Sequence, residues 1–305
     1  MTVTTKSIDR VALKLLEKEQ EWFTKKEPTW GLSTGFRRID HATGGLHKGE
    51  VTVLGARTSH GKTSLASSIA FHVAEQEYLK NRGNPSGKVL YFSPEMTAEQ
   101  LVMRRACQLA RVSSLDVHRG NLTEEQRQAW QMAVAAIGNL SPVMELYAGE
   151  SMDISTIRGI VESNEGQILL IVIDYLQRLT VGVDSYLDYG RVSLISTSIK
   201  DLANRFEVPI LVLSQLNRAL ERDRVSGNMR ERRPTLSDLR DSGRIEEDAD
   251  VVWLLWRDPD QNQYVAWQDA NLEIAKSRNG KTGDIPLRFY PEYTLFEDPP
   301  SQELE

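Results

Sequence analysis

The stretch that most restricts what this chain can fold into is Val51-Thr52-Val53-Leu54-Gly55-Ala56-Arg57-Thr58-Ser59-His60-Gly61-Lys62-Thr63-Ser64. It opens as an apolar, β-branched run. It gives way to apolar residues at Leu65, Ile69, Val73 and Leu79, which are spaced as on a helix. Strand, glycine-bearing turn, Gly61-Lys62-Thr63 and helix in that order make a P-loop. The physics is anion binding: turn N–H groups point inward, the helix N-terminus adds partial positive charge, and a lysine adds a full one. Such a loop suits a polyphosphate. The positions that would line it are Gly55, Ala56, Arg57, Ser59, His60, Gly61, Lys62, Thr63 and Ser64. The strict pattern has glycine where Ala56 stands, with Gly55 one step earlier; an alanine of negative φ still lets phosphate approach. The competing reading is a chance occurrence of these residues at an ordinary strand-to-helix turn.

A chain of 305 residues is long enough for one large domain or two ordinary ones, with a substantial core. The formal net charge of -6 does not advertise a nucleic-acid binder, yet a small basic channel lining is diluted in such a total. Cys107 is the only cysteine, which rules out an intrachain disulfide and fits a reducing compartment. The histidines, at 41, 47, 60, 72 and 118, lack metal-ligand spacing. No apolar run reaches membrane-spanning length, and the N-terminus does not read as a signal peptide.

Along the chain, residues 7–25 read as an amphipathic helix, with Ile8, Val11, Ala12, Leu15, Trp22 and Phe23 near one face, followed by a linker at 25–29. Two readings stay open for it: a helix packed on its own domain, or one docked on a neighbouring protomer. Residues 88–93 read as a strand ending at Pro94-Glu95-Met96, ahead of a capping box at 97–100. Glu95 thus stands at the carboxyl end of a strand, where open α/β sheets put their chemistry. A second capping box at 123–126 opens another helix, and a strand is expected near 142–147. The most apolar run, 168–173, reads as a buried parallel strand closed by Asp174. Downstream of a P-loop, such an aspartate holds Mg²⁺ through its water shell. A helix is expected over about 192–206. Residues 208–213 form another buried strand, ending in Ser214-Gln215, a polar pair suited to sensing a γ-phosphate.

The charged run at 221–233 reads as a solvated face. Residues 236–243 differ, with small and turn-forming residues around Arg240 that can offer N–H groups and a guanidinium to phosphates. Residues 271–276 and 285–289 flank a turn and read as a hairpin. Lys276 and Arg278 alternate there and so project to one side of a strand. Residues 297–305 read as a disordered acidic tail.

The motifs at 55–63, 92–96, 172–177, 208–218, 233–243, 246–250 and 276–280, in that order, resemble the ATPase domain of DnaB-type replicative DNA helicases. The match spans about 31–296. The resemblance implies a RecA-like α/β fold with a mainly parallel central sheet flanked by helices and a C-terminal β-hairpin. Residues 1–30 become a linker helix docking on the neighbouring protomer. The alanine at position 56 is usual in that family. The resemblance also implies a homo-hexameric ring with ATP sites between protomers. In it Lys62 contacts the β- and γ-phosphates, Thr63 holds Mg²⁺ with Asp174 in the outer shell, Glu95 polarises the attacking water, and Gln215 reports the γ-phosphate. Arg278, with Lys276, reaches into the neighbour's site as an arginine finger. Arg240, Asp241 and Gly243 line a central channel and touch single-stranded DNA.

The activity implied is ATP-driven 5′→3′ translocation and unwinding in DNA replication, in a cytoplasmic setting of bacterial, phage or plasmid origin, with a helicase loader as a further partner. Two departures stand out. The family's N-terminal domain, which meets primase, is not matched here; primase stays an open partner beside the loader, and a phage, plasmid or truncated version is one reading of the difference. Position 241 is Asp where the family has Glu, a shorter reach. The rival readings are a filament-forming recombinase or mediator of the RecA type, and a regulatory RecA-like ATPase that binds no nucleic acid.

Overall fold

The computed structural model describes residues 7–25, 29–149, 152–182, 188–216, 222–225, 228–231, 233–239, 242–257 and 265–300. Its frame is a nine-stranded sheet. In chain order the strands are β1 (Val51–Ala56), β2 (Lys88–Ser93), β3 (Met144–Ala148), β4 (Ile168–Ile173) and β5 (Ile210–Gln215). Then come β6 (Val251–Arg257), β7 (Gln268–Ser277), β8 (Gly283–Tyr290) and β9 (Leu295–Glu297). Side by side they run β9-β8-β7-β6-β1-β5-β4-β2-β3. The six from β6 to β3 in that order are parallel. The hairpin expected near the C-terminus does not stand apart: β7, β8 and β9 extend the same sheet antiparallel from β6.

The expected N-terminal helix, α1, covers Ile8–Lys25. Its Ile8, Leu13, Leu15, Leu16 and Phe23 are exposed, Phe23 at 74%, so this apolar set is not packed on its own domain.

The composition of the strands explains the order of the sheet. β4 is an unbroken apolar run, β1 is apolar but for Thr52, and β5 is apolar up to Ser214, because helices cover both faces and neither set of alternate side chains meets water. On β1, Val51 and Val53 enter one core while Leu54 and Ala56 enter the other. The core of Leu54 and Ala56 is completed by α2 (Arg37–Thr43), α3 (Lys62–Lys80), α4 (Ala98–Ala110) and α6 (Glu124–Gly138), with the short α5 (Ser114–Arg119) between the last two. The core of Val51 and Val53 is completed by α7 (Ile154–Ser163), α8 (Asp188–Phe206) and α9 (Ser242–Asp248). α4 and α6 open with the expected capping boxes, Thr97 with Gln100 and Thr123 with Gln126.

Four expectations need adjustment. α8 starts at Asp188, ahead of the helix expected from 192, and β3 lies at Met144–Ala148, slightly later than 142–147. The charged run read as a solvated face contains a two-stranded antiparallel ladder, Arg222–Val225 with Asn228–Glu231. Order also continues past residue 296: Glu297 ends β9, and the Asp298 carboxylate accepts the Arg37 N–H at 2.7 Å, fastening α2. Leu295 and Phe296 are buried, and that anchors the strand despite its acidic sequel. Residues 301–305 and the linker positions 26–28 lie outside the described residues.

Candidate active site

The carboxyl ends of β1, β2, β4 and β5 meet at one end of the sheet. β1 stops at Ala56 and the chain turns through 57–61 into α3. Gly61 stands at the helix entrance with φ +95°, and a Cβ there would come within 2.7 Å of the Phe296 ring, so only glycine fits. Lys62, the first residue of α3, is buried, and its ammonium lies 4.7 Å from the centre of the Tyr175 ring. Thr63 and Ser64 follow in the first turn, where N–H groups have no helical partner.

Asp174 follows β4 and is fully buried. Burial pushes its carboxyl up. Lys62 opposes this first, then the Thr63 and Tyr91 hydroxyls, while the negative charge of Glu95 adds to the rise. Tyr91 donates to Oδ2 at 3.1 Å. Burial, with Asp174 beside it, holds the Tyr91 phenol well above its usual value. Oδ1 of Asp174 is buried and accepts no protein hydrogen bond. A buried, unsatisfied carboxylate oxygen next to a threonine and a lysine fits a hydrated Mg²⁺. Glu95 is exposed two residues beyond β2, close enough for Asp174 to feel its charge.

Gln215 ends β5 directly beside Ala56. Its Nε2 donates to the Thr58 hydroxyl at 3.4 Å, so the third strand end touches the P-loop. Gln177 holds it in place: Oε1 accepts the Gln215 N–H at 3.1 Å, and Nε2 donates to the Ser214 hydroxyl at 2.9 Å. Leu216 then forms an antiparallel bridge with Leu239, the residue before Arg240. Gly55 serves this junction. A Cβ on it would approach Leu216 and Leu254 to 3.0 Å and Leu239 to 3.2 Å. Gly243 lies at the start of α9; Arg240 and Asp241 lie outside the described residues.

His60 is buried, and its Nδ1 accepts the backbone N–H of Arg257 at 3.1 Å. Burial first, then the charges of Arg257 and Arg57, lower its pKa to about 4, so the ring is neutral.

Lys276 and Arg278 are elsewhere. β7 pairs Lys276 with Val252 and Ser277 with Val251, at the start of β6, whereas Ala56 pairs with Leu255 near its end. At about 3.3 Å per residue, the two cations sit roughly 13 Å down the sheet from the chain's own P-loop. They do share a target. Lys276 donates to the carbonyls of Glu246 and Ala249, the latter at 2.8 Å. Arg278 donates to the Glu247 carbonyl at 2.6 Å and to Asp250 at 3.0 Å. Both thus cap the carboxyl end of α9, where a cation is favoured. Burial and then Arg278 lower the Lys276 pKa, against Glu246, Asp250 and Asp248.

Tyr91, Gln177 and Arg257 are site residues that sequence reasoning gave no role. Tyr91 had a usable signal, since it alternates in step with Ser93 on the strand leading to Glu95. Gln177 had its nearness to Asp174. Arg257 had none.

A P-loop on the first of several parallel strands, with acidic and amide side chains at the neighbouring strand ends, defines a P-loop NTPase of the RecA-like fold. The family model described as DnaB-like helicase C terminal domain matches residues 31–298. The chain belongs to that family. It is 36% identical over 272 residues to the replicative DNA helicase DnaB of Geobacillus stearothermophilus, covering 87% of this chain and 56% of that protein. It is 33% identical over 300 residues to the replicative DNA helicase DnaC of Bacillus subtilis (strain 168), covering 97% and 62%. The chain therefore spans a little over half the length of these relatives. Among solved structures, one described as an ATPase domain aligns with TM-score 0.82 at 25% identity, covering 97% of this chain and 100% of that one. A DnaB-like replicative helicase, described with its interactions with primase, aligns with TM-score 0.79 at 26% identity, covering 97% and 68%.

Proposed function

We propose that this chain is the motor of an ATP-dependent DNA helicase, a homo-hexameric ring that couples hydrolysis to 5′→3′ movement on single-stranded DNA and to unwinding during replication. The observation that carries this reading is the division of the charged groups between two ends of one sheet. The P-loop, Glu95, Asp174 and Gln215 gather at one end, Lys276 and Arg278 at the other. Two such chains placed head to tail bring the cations of one to the nucleotide of the next, and such a heterologous contact makes a ring when its rotation closes and a filament when it does not.

In this reading the loop N–H groups and Lys62 neutralise the β- and γ-phosphates. Glu95 orients the attacking water and takes its proton. Arg278, with Lys276, meets the charge developing on the neighbour's γ-phosphate. Mg²⁺, held by the Thr63 hydroxyl and through water by Asp174, supplies charge neutralisation at the phosphate oxygens when bound. Gln215 reads the γ-phosphate state, and its neighbour Leu216, bridged to Leu239, leads to the channel loop of Arg240, Asp241 and Gly243. The exposed apolar side of the helix Ile8–Lys25 supports its docking on the next protomer. A helicase loader completes the reading, and the setting is the cytoplasm of a bacterial cell, with or without a phage or plasmid.

The test is unwinding of a forked duplex by the wild type and by Glu95→Gln. Wild-type unwinding with ATP, lost in a variant that still binds ATP and assembles, supports the reading. A wild type that hydrolyses ATP without response to single-stranded DNA, and unwinds nothing, overturns it.

A further inference from the structure

Arg257 is the last residue of β6, two positions beyond Leu255, which pairs with Ala56 at the end of β1. That register sets it beside the loop leaving β1. Each nitrogen of its guanidinium has a protein partner. Nε donates to the His60 carbonyl at 3.2 Å, Nη2 to the Ser59 carbonyl, and Nη1 to Gln268 Oε1 at 2.8 Å. Its face lies 3.8 Å from the centre of the Phe289 ring. Phe289 also packs on Phe296, the residue that a Cβ on Gly61 would strike. The backbone N–H of Arg257 completes the set by donating to the His60 ring at 3.1 Å.

The direction of these bonds matters for an anion site. In a planar trans peptide, C=O and the following N–H point opposite ways. Carbonyls of Ser59 and His60 drawn toward Arg257 therefore turn the N–H groups of His60 and Gly61 away from it. The His60 N–H closes the turn onto the Arg57 carbonyl at 3.3 Å, and the Gly61 N–H is left facing the side where α3 begins. If the His60–Gly61 peptide rotated, a carbonyl oxygen would face a phosphate oxygen in place of the Gly61 N–H, and rotation of the Ser59–His60 peptide would break the turn that the His60 N–H closes. A planar fork of donors holds two adjacent carbonyls in one fixed geometry, whereas an ammonium on a flexible stem has rotatable donors that impose no such direction.

We propose that Arg257 is a positioning residue of the nucleotide site, a clamp that fixes the peptides of Ser59 and His60 so that the loop presents donors to a polyphosphate. Gln268 orients the fork and Phe289 supports its face. This rests on the reading that a nucleoside triphosphate occupies the loop at 57–64. Arg257 uses its nitrogens on protein and acts through the loop, so its loss weakens ground-state binding and transition-state binding alike.

The test compares the full-length wild type with Arg257→Gln, Arg257→Lys and Gln268→Leu in ATP and ADP binding, steady-state ATPase kinetics, and amide hydrogen exchange without nucleotide. Arg257→Gln is expected to weaken ATP and ADP about tenfold or more and to raise KM by a similar factor with kcat little changed. Exchange at Ser59–Gly61 is expected to quicken. Arg257→Lys should recover part of the loss, and Gln268→Leu should cost about two- to fivefold in KM. If Arg257→Gln does not fold, the other two variants carry the comparison. Wild-type ATP affinity and loop exchange in every variant that folds, or a fall in kcat at unchanged KM, would overturn the clamp alone. A wild type that binds no ATP would remove the site reading itself.

Discussion

Arg278 and Asp250 meet at 3.0 Å at the foot of β6, and the same carboxylate accepts Lys200 at 2.6 Å and the Val51 N–H at 2.8 Å. One buried side chain thus joins the proposed finger, helix α8 and the first residue of the P-loop strand. Replacing Asp250 by Ala leaves Lys200 largely buried without its charge partner and the Val51 N–H without its acceptor. The expected cost is about 3–5 kcal/mol of unfolding free energy, read by urea denaturation. A loss below about 1 kcal/mol would place the anchoring elsewhere.

Arg278 itself is different, because 46% of its side chain is exposed and its partner keeps Lys200. Arg278→Ala is expected to cost little stability, about 1 kcal/mol or less. Its effect should fall on turnover. ATP binding should stay within a few-fold of wild type while kcat drops by about 10³ or more. Normal turnover in an assembled Arg278→Ala ring would end the finger assignment.

His60 gives a pH dependence whose sign follows from linkage. Its ordinary pKa is 6.5 and its folded value about 4, so between these pH values the unfolded chain binds the extra proton. The neutral ring's contribution is complete above pH 6.5 and is lost as pH falls through 4, a total of about 3 kcal/mol. His60→Met should flatten this part of the stability–pH curve. An unchanged acid slope in that variant would assign the titration to another group.

Gly55 and Gly61 should respond unequally to alanine. At Gly55 the new Cβ meets the ends of Leu216, Leu254 and Leu239 at 3.0–3.2 Å, which flexible side chains absorb at a cost of about 1 kcal/mol. At Gly61 it meets an aromatic ring at 2.7 Å from a backbone of φ +95°, at the mouth of the anion site. Gly61→Ala should therefore abolish measurable ATP binding, whereas Gly55→Ala should keep it and blunt the response of ATP hydrolysis to single-stranded DNA. Calorimetric titration with ATP separates the two, and equal losses would count against the packing role of Gly55.

The parallel half of the sheet was legible because burial on both faces writes unbroken apolar runs, as at 168–173 and 210–213, and their terminal Asp174 and Gln215 mark the site end. The antiparallel extension was harder to read. A hairpin is visible from local alternation, but nothing local says that β7 pairs with β6 as well as with β8. β9 was hidden because Leu295 and Phe296 are too few to outweigh the acidic residues that follow. Arg257 was invisible for a related reason: its partners at Ser59 and His60 are backbone atoms some 200 positions earlier, and backbone carbonyls leave no trace in side-chain identity. The capping boxes, by contrast, are wholly local, and both formed as spaced.

β7 begins at Gln268, which touches the side chain gripping the P-loop, and ends beside Lys276 and Arg278. On the inter-protomer reading, each chain therefore donates the two unlike halves of two separate sites. An open arc of such chains has one complete site fewer than it has members, with a bare P-loop at one tip and idle cations at the other. Opening the ring to admit a DNA strand would then silence one nucleotide site, and closing around the strand would restore it.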